Sequence, residues 1–478
     1  MNPILTIIIL YFVLMLIIGF ISSKKVKDTI DFLVAGRRLG LFLATATMFA
    51  TWFAGESVLG TAGIVYEQGL YGIIADPFGA ALALILAGLF YAPIFRRLNL
   101  LTVIDIFGKY YSRNLEILAT ILMIPVYIVW LGAQIVAIGL IFSSFTNINA
   151  DLGMVIGSCV IVIYTFCGGM WAVTLTDFVQ MSILILGVLT IFPFVLKDAG
   201  GIKNVVLSTP KEFFVIFPQT NQLSEWLTYL GKWSMLGLGC VVGQDLIQRS
   251  LSSKTETIAR WSSVLAGIIY LLMGLIIICI GLSARLVITD LQHSEALVLT
   301  LANKYFSGIH QFLFAIFICG LLAAIMSSAD SSLLAATSLF TNNIIAKSFK
   351  NISQKTFLLI NRITIIVLTV LAAYIALYVK QVYNLMVNSN VTLLVSLFVP
   401  ISAALFFKKY VNNISCLLSM LAGIIMWFVY IFITLGKLVI DDISMEVMYR
   451  AAFLGFLTSL MMYILPIVLF KPHLKEIF

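Results

Sequence analysis

The stretch GLLAAIMSSADSSLLAATSLF, Gly320 to Phe340, decides how this chain is read. It is apolar enough to cross a bilayer, yet it carries Ser327, Ser328, Ser331, Ser332 and Asp330. In a helix, Ala324, Ser327, Ser328, Ser331, Ala335 and Ser338 share one face by their spacing of three and four. That face is small and oxygen-bearing, while the opposite one is Leu, Ile and Met. Small residues alone would serve close helix packing. Asp330 does not fit that account. A carboxylate in mid-span costs roughly 2.5–3.5 kcal/mol on insertion scales, so it calls for a cation or a polar cavity. The stretch is therefore read as one wall of an ion site inside a membrane.

The rest of the chain agrees with a membrane setting. Hydrophobic residues make up 62% of the 478 and charged ones only 10%. Such a composition exceeds what a soluble core can use and predicts an all-α polytopic membrane protein. The net charge of +8 is read as loop anchors at a membrane face, with no nucleic-acid partner and no obligate protein partner implied. The six cysteines lie in apolar runs without metal-type spacing and read as buried thiols. No GxxxxGK[ST] phosphate loop is present, and nothing points to an enzyme.

Apolar runs begin near residues 4, 41, 73, 114, 152, 171, 233, 258, 309, 356, 390, 414 and 447, which predicts about thirteen spans. The first has no basic n-region and its lysines follow it, so it is expected to be a retained span with the N-terminus outside and the C-terminus inside. This orientation puts most of the 29 basic residues in inner loops, Lys24, Lys25, Arg37, Arg38, Arg96, Arg97, Arg249 and Lys254 among them. The longest outer loop, roughly 197–232, holds KEFFVIF and SEWLTYL, read as short surface helices or a solvated connector.

Two spans look interrupted. ATWFAGESVLGTAG (Ala50–Gly63) contains Glu56 and three glycines, and GLGCVVGQDLIQR (Gly237–Arg249) contains Gln244, Asp245 and three more. Glycine tolerates unwound backbone, which survives in a membrane only where it lines a cavity. Two such breaks, five spans apart, are what an inverted five-plus-five repeat produces.

Several blocks together make the chain similar to the sodium:solute symporter family, and within it to the high-affinity choline transporter-like branch. They are AGRRLG (Ala35–Gly40), the ATW, GTA and VY elements of Ala50–Tyr66, YTFCGGMWAVTLTDFVQ (Tyr164–Gln180), QDLIQRSLSS (Gln244–Ser253) and AAIMSSADSSLLAATS (Ala323–Ser338). The resemblance implies a LeuT-type fold in one transport domain. Its divisions are an extra span and loop (1–39), a first repeat (40–200), an outer loop (201–232), a second repeat (233–410) and two accessory spans (411–478). It implies a sodium ion held by the carbonyls of Ala50, Phe53 and Ala324 and the hydroxyls of Ser327 and Ser328. A second cation, sodium or a proton, would lie at Asp177, Asp330 and Ser331. Substrate contacts would come from Trp52, Glu56, Ser57, Trp130, Gly243 and Gln244.

The sequence departs from that branch at the pocket: Gly243 replaces a tryptophan, Ala80 a tyrosine, and Glu56 a glycine. The resemblance implies sodium-coupled import of a small polar solute, an organic cation or zwitterion of choline or betaine type. A proline-like amino acid, another solute, a uniporter, or a solute sensor on the same scaffold are the alternatives. A multi-pass protein of a bacterial inner membrane, with the lipid bilayer, sodium and the solute as its partners, completes the expectation.

Overall fold

The computed structural model describes residues 3–289, 291, 293–306, 311–349, 352–378, 390–436 and 443–469. Almost everything described is helical. In chain order the helices are α1 (Pro3–Ser23), α2 (Thr29–Val34), α3 (Leu41–Trp52), α4 (Thr61–Gln68), α5 (Ala80–Leu86), α6 (Ala92–Leu98), α7 (Asp105–Tyr110) and α8 (Arg113–Phe145). They continue with α9 (Ala150–Asp198), α10 (Gly201–Ser208), α11 (Leu223–Gly237), α12 (Gln244–Ser252), α13 (Glu256–Val287), α14 (Leu297–Phe306), α15 (Gln311–Ser338) and α16 (Gln354–Tyr378). Phe398–Phe406, Asn413–Leu435 and Met445–Leu469 complete the described set.

Nine of the described helices are long and apolar enough to cross a membrane, and ten if the pair α3 and Glu56–Tyr71, bent by 61°, is one span. At 49 residues, α9 would reach about 74 Å if straight, more than twice a hydrocarbon core. Gly169 divides it, at φ 51° and ψ −137°. A Cβ there would stand 2.4 Å from the Phe32 carbonyl, so the turn requires glycine twice over, by conformation and by space.

Packing sorts the helices into an interior and a lipid face. α15 packs chiefly on α9 and α8, and α13 on α3 and α5. α1, α16 and the last two helices instead turn Leu10, Phe20, Val370, Ile433 and Val468 outward. In a bilayer those side chains meet lipid tails rather than water, so their exposure costs nothing. The chain is an integral, multi-pass membrane protein.

Basic residues of several connecting segments gather at one end of the helices. Arg37 donates to Asn99 Oδ1 at 2.7 Å, Arg96 to Ser253 O at 2.5 Å, and Arg97 to Glu256 at 2.7 Å. The chain is also pinned there by paired backbone bonds, Leu39 N to Ser252 O and Lys254 N to Leu39 O. Lys347 meets both Asp105 and Glu116. Partial burial pulls its ammonium down, but the two carboxylates outweigh that and hold it above the ordinary lysine value. At the other end Lys232 donates to Tyr71 O at 2.8 Å, and the Arg285 guanidinium lies 3.9 Å from the Phe213 ring centroid.

Three expectations are corrected. Arg249 is no loop residue: it is the largest fully buried side chain described. SEWLTYL is not a separate surface helix but the first turns of α11, so the expected division at 232/233 falls inside a continuous helix. The glycines of the two breaks, expected to tolerate unwound backbone, have no unusual dihedrals, since Gly55 and Gly243 both have negative φ. They permit close approach instead. A Cβ on Gly55 would lie 2.8 Å from Ile325 Cγ1, and one on Gly239 2.9 Å from Leu394 Cβ.

Candidate functional site

The first break begins where α3 stops at Trp52. Phe53, at φ −87° and ψ 75°, leaves the helical register, and the last carbonyls of α3 lose their intrahelical donors. α15 supplies replacements. Ser327 Oγ donates to Ala50 O and Ser328 Oγ to Thr51 O, each at 2.5 Å. The same hydroxyls lie 3.1 and 3.4 Å from Ala324 O. Ala50, Ala324, Ser327 and Ser328 are thus brought together, all buried. Phe53 belongs to the same freed turn, and Thr51 is a member that sequence reasoning missed. Carbonyl and hydroxyl oxygens without a thiol or imidazole suit a hard monovalent cation.

A few ångströms along α3 and α15 lies a second cluster. Tyr164 OH donates to Asp330 Oδ2 at 2.7 Å, and Ser331 Oγ lies 3.1 Å from Asp330 Oδ1. Asp177 accepts from Thr47 and stands 3.5 Å from the Arg249 guanidinium. Arg249 also donates to Ser331, to Thr47 O at 3.2 Å and to Asp245 O at 2.8 Å. Asp177, Asp330 and Ser331 therefore do share one buried cluster, with an arginine the sequence reading had placed elsewhere. Of the two carboxylates only Asp177 pairs with the guanidinium, and Asp177 Oδ1, fully buried, accepts no hydrogen bond. Asp330 has no basic partner within ion-pair distance among the described residues.

Between the breaks is a cavity of about 40 Å³, room for a few waters. Trp52, Glu56, Ser57 and Trp130 line it as expected. So do Asp76, Asp245, Tyr270 and Ala80. Glu56 accepts from Gln134 Nε2 at 3.0 Å and from Trp130 Nε1 at 3.3 Å. Asp76 accepts from Tyr270 OH at 2.7 Å and Ser57 Oγ at 2.8 Å. Asp245 accepts from Trp52 Nε1 and Tyr127 OH, both at 2.7 Å. Gln244 does not face the cavity. Its side chain accepts from Val103 N at 2.8 Å and donates to Ser338 at 2.9 Å. Gly243 leaves space that Asp245 fills: a Cβ would stand 2.7 Å from Asp245 Oδ1. Asp76, Asp245 and Gln134 were legible as polar residues inside apolar runs, the signal already used for Asp330.

The sequence profile of the sodium:solute symporter family matches residues 32–423. The chain belongs to that family. Its members are transporters, not enzymes. High affinity choline transporter 1 of Homo sapiens is 30% identical over 421 residues, 84% of this chain and 72% of that protein. Sodium/proline symporter 2 of Staphylococcus saprophyticus is 24% identical, over 89% and 86% of the two chains. The solved structure of a Na+-coupled sialic acid symporter, outward-open and substrate-bound, superposes with a TM-score of 0.83, 18% identity and 98% of both chains covered. A nucleobase-cation-symport-1 family transporter superposes at 0.58, with 15% identity over 91% of this chain and 94% of that one. This sodium:solute symporter thus shares its fold with coupled carriers of chemically different solutes. The solute must be argued from the cavity itself.

Proposed function

We propose that the chain is a sodium-coupled symporter importing a small organic cation, of the choline type found among its relatives, by alternating access. One observation carries this reading: the eight residues Ala50–Ser57 supply both ion-site oxygens and cavity walls. An ion that draws Ala50 O and Thr51 O towards α15 also sets the position of Trp52, Glu56 and Ser57. Binding of ion and solute is therefore linked through one short unwound segment. The ion enters down its gradient, with roughly 2.3 kcal/mol per charge per 100 mV of potential added.

The second cluster, with two acids and one guanidinium, takes a further sodium ion or a proton. The topology that best accommodates the helices counts α9 as two spans, α11 with α12 as one, and Asn390–Phe406 as one. This gives about thirteen, with the N-terminus outside and the basic end in the cytoplasm. A proline-type solute is disfavoured because its carboxylate would face Glu56, Asp76 and Asp245 without a basic partner among the described lining residues.

Reconstituted protein should accumulate labelled choline or another organic cation when a sodium gradient is imposed. Equal uptake under sodium and potassium gradients would refute coupling.

A further inference from the structure

The cavity differs from a quaternary-ammonium cage in what lines it. A quaternary cation has no N–H and needs ring faces around it. Here one lining position is the ringless Ala80, and the space beside Gly243 belongs to the Asp245 carboxylate. Three carboxylates, Glu56, Asp76 and Asp245, line one small enclosure, each at most 4% exposed. Among the described residues, no lysine, arginine or histidine lines it. Arg249, one turn away, spends Nη1 on the main-chain oxygen of Asp245 rather than on its carboxylate. The described side-chain donors to these acids are all neutral: two indoles, two phenols, a hydroxyl and an amide.

Behind Glu56, outside the cavity lining, one buried acceptor is unused. Gln134 is fully buried and gives its Nε2 to Glu56, while its Oε1 accepts nothing. A buried acceptor left open is costly unless an N–H or O–H reaches it. The acids also sit on separate elements, Glu56 past the first break, Asp76 before α5, and Asp245 at the start of α12. A single ammonium meets one of these walls and leaves the others uncompensated.

We infer, on the basis of the organic-cation reading above, that the solute is a short, flexible dication carrying N–H donors at both ends, a diamine or an amino-guanidine. One end pairs with Asp245 between Trp52 and Tyr127. The other pairs with Glu56 and Asp76.

The test is binding to the purified full chain in sodium buffer, by calorimetry and by thermal shift. The probes are 1,4-diaminobutane, 4-guanidinobutylamine, the bis-trimethylammonium form of the diamine, and choline. The expected result is at least tenfold tighter binding of the diamine or the guanidinobutylamine than of choline and of the permethylated diamine. Asp76→Asn, which retains a group for Ser57 and Tyr270 to bond, should bring the diamine-to-choline ratio close to one. Choline binding as tightly as both donor-bearing probes would overturn the inference and leave the organic-cation reading intact. Equal affinity for the diamine and its permethylated form would overturn the claim for N–H donors. If no cation binds while sodium still shifts the midpoint, both readings fail together.

Discussion

Ser327 illustrates how much one hydroxyl can hold. Its oxygen sits 2.5 Å from Ala50 O and 3.1 Å from Ala324 O, so an ion between them would be bound by all three. Ser327→Ala removes one ligand and leaves two carbonyls facing an apolar methyl. A hydrogen bond or dipole contact to a charged group is worth about 1.5–3 kcal/mol, so half-maximal uptake should need at least about tenfold more sodium. Uptake kinetics against sodium, with protein level measured in parallel, would show it. An unchanged sodium requirement would remove Ser327 from the ion site. Trp52→Phe is a different case. It keeps a ring at the cavity but drops the indole donor to Asp245, 2.7 Å away. Solute affinity should fall by about tenfold, with sodium affinity largely kept, as binding titrations in sodium would reveal. These residues were legible because serine, aspartate and tryptophan are unusual in apolar runs. Asp76 and Tyr270 carried the same signal more weakly, as single residues without a flanking motif, whereas Asp245 stood inside the QDLIQRSLSS block. Gln244 misled for the opposite reason. It stands in a motif, but its amide is spent on Val103 and Ser338.

At the scale of elements, the arrangement depends on which helices one residue can tie together. Arg249 on α12 reaches Thr47 on α3, Asp177 on α9 and Ser331 on α15. From Asp245 at the cavity to Ser253 at the basic end is eight residues of mostly helical rise, about 12 Å, and Arg249 lies midway. It bolts that layer shut beneath the cavity. Arg249→Met should destabilise strongly, by about 3–5 kcal/mol, because it leaves a buried carboxylate unpaired. Arg249→Met combined with Asp177→Asn should recover much of the loss, as thermal unfolding in detergent would record. Failure of the double variant to recover would show that the guanidinium stabilises through its other three partners. The breaks themselves were legible from glycine clustering, but for a reason that proved different. Their glycines admit Ile325 and Leu394, a tertiary contact that no local pattern encodes. Gly169, which backbone conformation does demand, lies inside α9, where the sequence showed two apolar runs and a GG pair.

For the whole molecule, the question is whether the cavity alternates between the two faces, and the chain carries its own reporter. Cys240 lines the cavity and is 4% exposed. With only about 40 Å³ of space around it, a thiol reagent reaches it only after the walls part. Replacing Cys159, Cys167 and Cys279, the cysteines that are not buried, by serine or alanine leaves Cys240, Cys319 and Cys416. The last two are buried in helices and do not line the cavity, so labelling should fall on Cys240. In proteoliposomes of one orientation, a charged, membrane-impermeant maleimide should label Cys240 from the outer face in sodium without solute. In potassium it should label from the inner face, because the ion favours the outward-open state and its loss releases the inner layer. Sodium with a bound organic cation should slow labelling from both faces by about tenfold, since the population shifts to closed forms. Labelling from one face in every condition would mean a binding protein or sensor on a transporter scaffold. Labelling from both faces at equal rates, with or without sodium, would mean an uncoupled pathway. Neither outcome would disturb the fold, which rests on the Gly169 turn, the two breaks and the apolar belt. Either would reassign the serines of α15 from coupling an ion to packing α3.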